Sequence, residues 1–124
     1  MKIQYIKLKN FLRIYGGLGI NEIEIDFDKC KNDITAIVGG NGSCKSTLVY
    51  NLHPYPTPLD RRYNYIIEGK EGYKEILYDV NGTKYRIEHY YKPKKDTHSK
   101  KSFLYKNDGT GWNNLNEDGS VREF

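Results

Sequence analysis

With 124 residues, 37% of them hydrophobic and 14% aromatic, the chain suits a single domain with one modest core and a large wet surface. A net charge of +4, from 20 Lys and Arg against 16 Asp and Glu, is too mild to define a partner by its size, so the placement of charge matters more. No apolar run approaches the ~20 residues of a bilayer span and the N-terminus has no apolar signal core, which makes a cytoplasmic protein the default expectation.

Apolar and polar residues alternate through Ile3, Tyr5, Ile6 and Leu8, and again through Ile23, Ile25 and Phe27, so both segments are expected as strands joined as an antiparallel pair. Gly16, Gly17 and Gly19 between them predict a loop. Residues 33–38 form a short apolar, β-branched run without alternation, as a strand covered on both faces would. That run ends directly in Gly39. Residues 46–52 predict a short helix that must stop near His53, because Pro54, Pro56 and Pro58 come next.

Residues 75–80 and 84–91 read as strands, and Asn81-Gly82 between them predicts a tight hairpin. A further strand starts at Phe103, Asn107-Asp108-Gly109 turns it, and residues 112–115 return. Residues 116–124 lack a packing pattern. One domain is expected over 1–124, with the strand pair, glycine loop and helix in 1–52 and the proline-rich loop and basic hairpin in 53–124.

The chemistry is carried by Gly39-Gly40-Asn41-Gly42-Ser43-Cys44-Lys45-Ser46, which matches the phosphate-loop pattern G-x-x-x-x-G-K-[ST] everywhere except Cys44, where glycine is expected. A strand feeding a tight loop of small residues lets backbone N–H groups wrap phosphates in front of a helix N-terminus. Lys45 would neutralise the β- and γ-phosphates, Ser46 would ligate a magnesium ion, and Thr47 would help begin the helix. A Cβ at position 44 should weaken binding, and three outcomes stay open: abolished binding, tolerated binding with lowered affinity, or a loop silenced by replacement. Cys30 and Cys44 are too few and too badly spaced for a zinc site or a disulfide framework and are read as free thiols.

The basic residues gather in 84–101, where Lys84, Arg86, Lys92, Lys94, Lys95, Lys100 and Lys101 face only Glu88 and Asp96, with tyrosines and histidines between them. Lys92, Lys94, Lys95, Lys100 and Lys101 are candidate phosphate contacts for a nucleic acid, with Tyr90, Tyr91 or His89 as candidate stacking groups.

Leu8-Lys9-Asn10-Phe11 after the first strand, the acidic-apolar second strand, and Ile37-Val38-Gly39-Gly40-Asn41-Gly42-Ser43 followed by Lys45-Ser46-Thr47 resemble the opening of SbcC-like and SMC-like DNA-repair ATPases. The resemblance covers residues 1–52; residues 53–124 look like the phage-encoded branch of that group, which implies a bacterial or phage-infected cell. It implies an α/β, P-loop NTPase-like N-terminal lobe of an ABC/SMC head, with a mixed, largely antiparallel sheet and few helices. It further implies ATP and Mg2+ as cofactors, Arg13 near the nucleotide, an ATP-dependent head dimer, DNA, and an SbcD-like nuclease subunit as partners.

The acidic strand and signature motif of the C-terminal lobe have no counterpart in this sequence, so the site would be half of a composite ATPase, completed in cis or in trans. Two other classes compete with that reading. One is a decoy or interaction module, deficient in nucleotide binding through Cys44, that binds a complete ATPase or nuclease. The other is a nucleic-acid-binding protein acting through its basic hairpin.

Overall fold

The computed structural model describes residues 2–29, 45–56, 65–95, 98–107 and 109–116. Strand β1 (Lys2–Lys9) leads into helix α1 (Leu12–Leu18), strand β2 (Glu22–Asp26) and a 3-10 turn (Phe27–Lys29). Helix α2 (Lys45–Tyr50) is next, then strands β3 (Gly72–Val80), β4 (Thr83–Pro93), β5 (His98–Asn107) and β6 (Trp112–Asn114). Among the described residues the strands form one six-stranded sheet in the order β2-β1-β3-β4-β5-β6, with every pairing antiparallel. The chain is thus an α/β protein with a mostly antiparallel sheet and few helices; the expected strand over 33–38 lies outside the described residues.

The broken alternation of the first strand has a structural counterpart. Ile3 pairs with Tyr78 and Tyr5 with Leu77, so the register shifts between them, and Ile3 joins Ile6 and Leu8 on one face although the sequence parity changes. That face carries the core, built from Ile6, Leu8, Ile76, Tyr78, Ile87 and Tyr91 together with Phe11, Ile14, Leu48 and Ile66. The hairpin between β3 and β4 turns at Asn81 and Gly82 with φ of 54° and 86°, the left-handed pair that the Asn-Gly dipeptide favours.

The glycine cluster after β1 is a helix rather than a loop. Phe11 and Ile14, three residues apart, are each 1% exposed, so one side of α1 seals the core while Gly16 has open space around it. Burial of that side offsets the cost of glycine in a helix, about 1 kcal/mol per residue. Gly19, at φ 69°, closes α1 in the left-handed conformation and donates its N–H to the Tyr15 carbonyl.

Two other expectations shift. Strand β5 starts at His98, five residues before Phe103, because its first half pairs with the end of β4. Asn116 is buried: its Oδ1 accepts the Leu104 N–H at 2.6 Å and its Nδ2 donates to the Ser102 carbonyl, which ties the end of β6 back onto β5. Residues 117–124 lie outside the described residues.

Candidate functional site

Lys45 and Ser46 are the first described residues of α2, which runs Lys45–Tyr50. Gly39, Gly40, Asn41, Gly42, Ser43 and Cys44 lie outside the described residues. Thr47 is the third residue of the helix, and its carbonyl accepts the Asn51 side-chain amide at 2.8 Å. Leu48 is buried, whereas Val49 and Tyr50 are exposed. The last turn tightens into bonds from Asn51 N to the Leu48 carbonyl and from Leu52 N to the Val49 carbonyl. Arg13 lies exposed on α1, the second residue of that helix.

The segment that leaves α2 is held by the sheet. Pro54 and Pro56 have no N–H to offer a strand ladder, yet their carbonyls still require donors. Side chains of β3 and β4 supply them: His89 Nε2 lies 2.6 Å from the Pro54 carbonyl, Lys74 Nζ donates to Tyr55 O at 3.0 Å, and Tyr91 Oη donates to Pro56 O at 2.5 Å. Lys74, His89 and Tyr91 are fully buried. Because a carbonyl only accepts, His89 must carry its proton on Nε2, and Nδ1 then accepts the Ser102 hydroxyl at 2.6 Å. Burial drives the imidazole down to about 3, with Lys74 adding to the effect, so the ring is neutral as this tautomer demands. Burial also brings the Lys74 ammonium down to about 7 and pushes the Tyr91 phenol far up.

On the opposite face of the sheet Glu75 and Glu88 stand directly across from each other. Glu88 accepts hydrogen bonds from Tyr73 Oη at 3.3 Å and Tyr90 Oη at 3.1 Å, and Arg86 Nε approaches it to 3.4 Å. The Arg86 guanidinium also sits over the rings of Tyr105, at 4.6 Å, and Trp112, at 4.9 Å. Burial raises the Glu75 carboxyl above its usual range, with Glu88 adding to it, and takes the Tyr90 phenol up to about 12.

Of the candidate nucleic-acid contacts, Lys92, Lys94, Lys95 and Lys101 are exposed near the end of the β4–β5 pair where Pro93 pairs with His98. Lys100 is half-buried, its Nζ 5.5 Å from the centre of the Tyr65 ring. His89 and Tyr91 are removed from the list of stacking groups by their burial, which leaves Tyr90, 40% exposed. The carbonyl clamp was missed by the sequence reading, although the alternation of 87, 89 and 91 already turned His89 and Tyr91 toward the face of Ile87.

Among the described residues no group of His, Cys, Asp and Glu is arranged to hold a metal ion, and no helix is long and apolar enough to cross a membrane. No known protein family and no curated protein matches the chain.

Proposed function

We propose that the chain is the nucleotide-binding N-terminal lobe of a P-loop ATPase of the SbcC-like and SMC-like kind, a half-site that acts on DNA ends only with a C-terminal lobe and a nuclease subunit. The observation that carries this reading is the sequence succession of an apolar run at 33–38 and a glycine-rich stretch from Gly39, followed by residues 45–50 in a helix. The donor set fits a magnesium triphosphate: backbone N–H groups of a glycine loop, one ammonium and one hydroxyl, with no carboxylate between Gly39 and Tyr50 to repel the phosphates.

Bound ATP supplies the scissile γ-phosphoryl group. Lys45 would balance charge on the β- and γ-phosphates as a point charge, Ser46 would offer its hydroxyl to the magnesium ion, and Arg13 is a further candidate from α1. The residues that would orient water and close the site belong to the second lobe, so turnover needs that lobe, as a head dimer or as the rest of the same chain. Cys44 would lower affinity in this reading, because it carries a Cβ where the pattern expects glycine.

Magnesium-ATP calorimetry on the chain, on Cys44→Gly and on Lys45→Ala tests it. Binding that tightens with Cys44→Gly and disappears with Lys45→Ala supports the proposal. Binding only after Cys44→Gly moves the decoy reading to first place, and binding that survives Lys45→Ala sinks the assignment of the site.

Exposure of Lys92, Lys94, Lys95 and Lys101 beside Tyr90 favours one addition, a DNA contact at the end of the β4–β5 pair where Pro93 pairs with His98. Affinity for DNA should then fall steeply with salt, and more shallowly once these lysines are replaced; a salt slope left unchanged by the replacements removes the contact.

A further inference from the structure

We infer that Lys74, His89 and Tyr91 are positioning residues for the candidate nucleotide site: by donating to three successive carbonyls, of Pro54, Tyr55 and Pro56, they fix the chain leaving α2 against the sheet and so set where Lys45 and Ser46 stand. The functional half of this inference rests on the nucleotide reading. The clamp itself does not.

The described part of helix α2 has six residues, well short of the ~12–15 at which an isolated helix becomes even marginally stable. Its own face cannot hold it, since Val49 and Tyr50 are exposed and Leu48 alone among residues 47–50 is buried. The segment after it is tied down residue by residue. Thr47 O takes the Asn51 side chain, Leu48 O and Val49 O take the N–H groups of Asn51 and Leu52, and His53 Nδ1 takes the Tyr55 N–H at 3.1 Å. The carbonyls of residues 54–56 then bond to the sheet. Hydrogen bonds within 47–52, within 53–55 and from 54–56 to the sheet, joined by the peptide between Leu52 and His53, therefore link the body of α2 to β3 and β4.

Each donor is fixed from a second direction. Lys74 is registered between Leu8 on β1 and His89 on β4, and His89 is registered opposite Ser102, which donates to its other nitrogen. The Tyr91 ring meets Phe11 and Tyr65 edge-on, with centroids 5.9 Å and 5.7 Å away. A methionine would fill the volume of the Lys74 stem without the cost of burying an amine, so the Tyr55 carbonyl is the feature that accounts for a lysine here. Protonated or neutral, the Lys74 amine retains an N–H for that carbonyl.

Lys74→Met and Tyr91→Phe remove a donor while keeping the volume. Hydrogen exchange of the full chain, read by mass spectrometry alongside thermal unfolding, tests the clamp. Amides of 47–53 should exchange about tenfold faster in each variant while those of β3, β4 and β5 keep their protection, and Lys74→Met should melt no lower than the parent. Unchanged exchange over 47–53 overturns the clamp, and so does faster exchange spread over the whole sheet, which would mark the donors as ordinary core stabilisers. In the Cys44→Gly background, magnesium-ATP affinity should weaken about tenfold with Lys74→Met. Local opening with unchanged affinity overturns the positioning role. Absence of nucleotide binding by the Cys44→Gly parent refutes the nucleotide reading instead, and exchange alone then decides the clamp.

Discussion

On one face of the sheet Lys74 and His89 lie opposite each other, wholly buried; one residue further along β3 and one back along β4, on the other face, Glu75 and Glu88 lie opposite each other and are less deeply covered. The same two strands thus carry a basic pair inward and an acidic pair outward. The basic pair is tolerated because fixed carbonyls at 54 and 55 accept from it and because His89 is neutral. The acidic pair is tolerated because phenols of Tyr73 and Tyr90 and the guanidinium of Arg86 converge on Glu88. Polar groups next to a core need partners whose positions are fixed, and here a proline-bounded segment supplies them on one side and a tyrosine-rich strand pair on the other.

The largest test of this contrast is truncation of one ring from each face. Tyr91→Ala should destabilise the protein by about 3–5 kcal/mol, since it opens a core cavity and leaves the Pro56 carbonyl without its donor. Phe103→Ala, on the half-exposed face against Tyr90, should cost about 1 kcal/mol. Urea unfolding of both variants checks this, and equal losses would break the distinction between the faces.

Acid should sharpen the contrast next. With its pKa near 3 in the fold and near 6.5 when unfolded, His89 contributes stability that is fully present above pH 6.5 and lost as the pH falls toward 3. The full shift corresponds to a loss on the order of 5 kcal/mol. Lys74 works in the same direction higher up, its burial cost fading as the pH rises from about 7 toward 10.5. Glu75 works in the opposite direction, because its raised pKa makes ionisation unfavourable to the fold above the usual carboxylate range. Denaturant midpoints between pH 3 and 7 should fall with acid in the parent and fall much less in His89→Gln.

The smallest effect expected is at the acidic pair. Glu75→Gln removes a half-buried like-charge opposition and should stabilise the protein at pH 7 by less than about 1 kcal/mol, measured by urea unfolding. A loss of stability would mean that Lys7 and Arg86 outweigh Glu88 at that carboxylate.

How much of this was legible depended on how local the cause was. Asn81-Gly82 announced its hairpin because the left-handed backbone that the turn needs is written in two adjacent residues. The helix expected over 46–52 was legible in part: α2 ends at Tyr50, short of the stop set near His53 by Pro54. Gly16 and Gly17 misled because local propensity gave way to the burial of Phe11 and Ile14 against the sheet, a tertiary effect. The lysines and histidines of 84–101 were counted as one basic surface, whereas strand parity sends His89 inward. Its carbonyl partner is invisible in the sequence because Pro54 lies 35 residues away.

The most direct test of the central claim is hydrogen exchange of the Cys44→Gly chain with and without magnesium-ATP, in parallel with Lys45→Ala. The account predicts slower exchange at the amides of residues 39–52 on adding nucleotide, with the outer strands β5 and β6 unaffected and the effect abolished by Lys45→Ala. Nucleotide-dependent protection elsewhere in the chain, or protection at 39–52 that persists in Lys45→Ala, would contradict it.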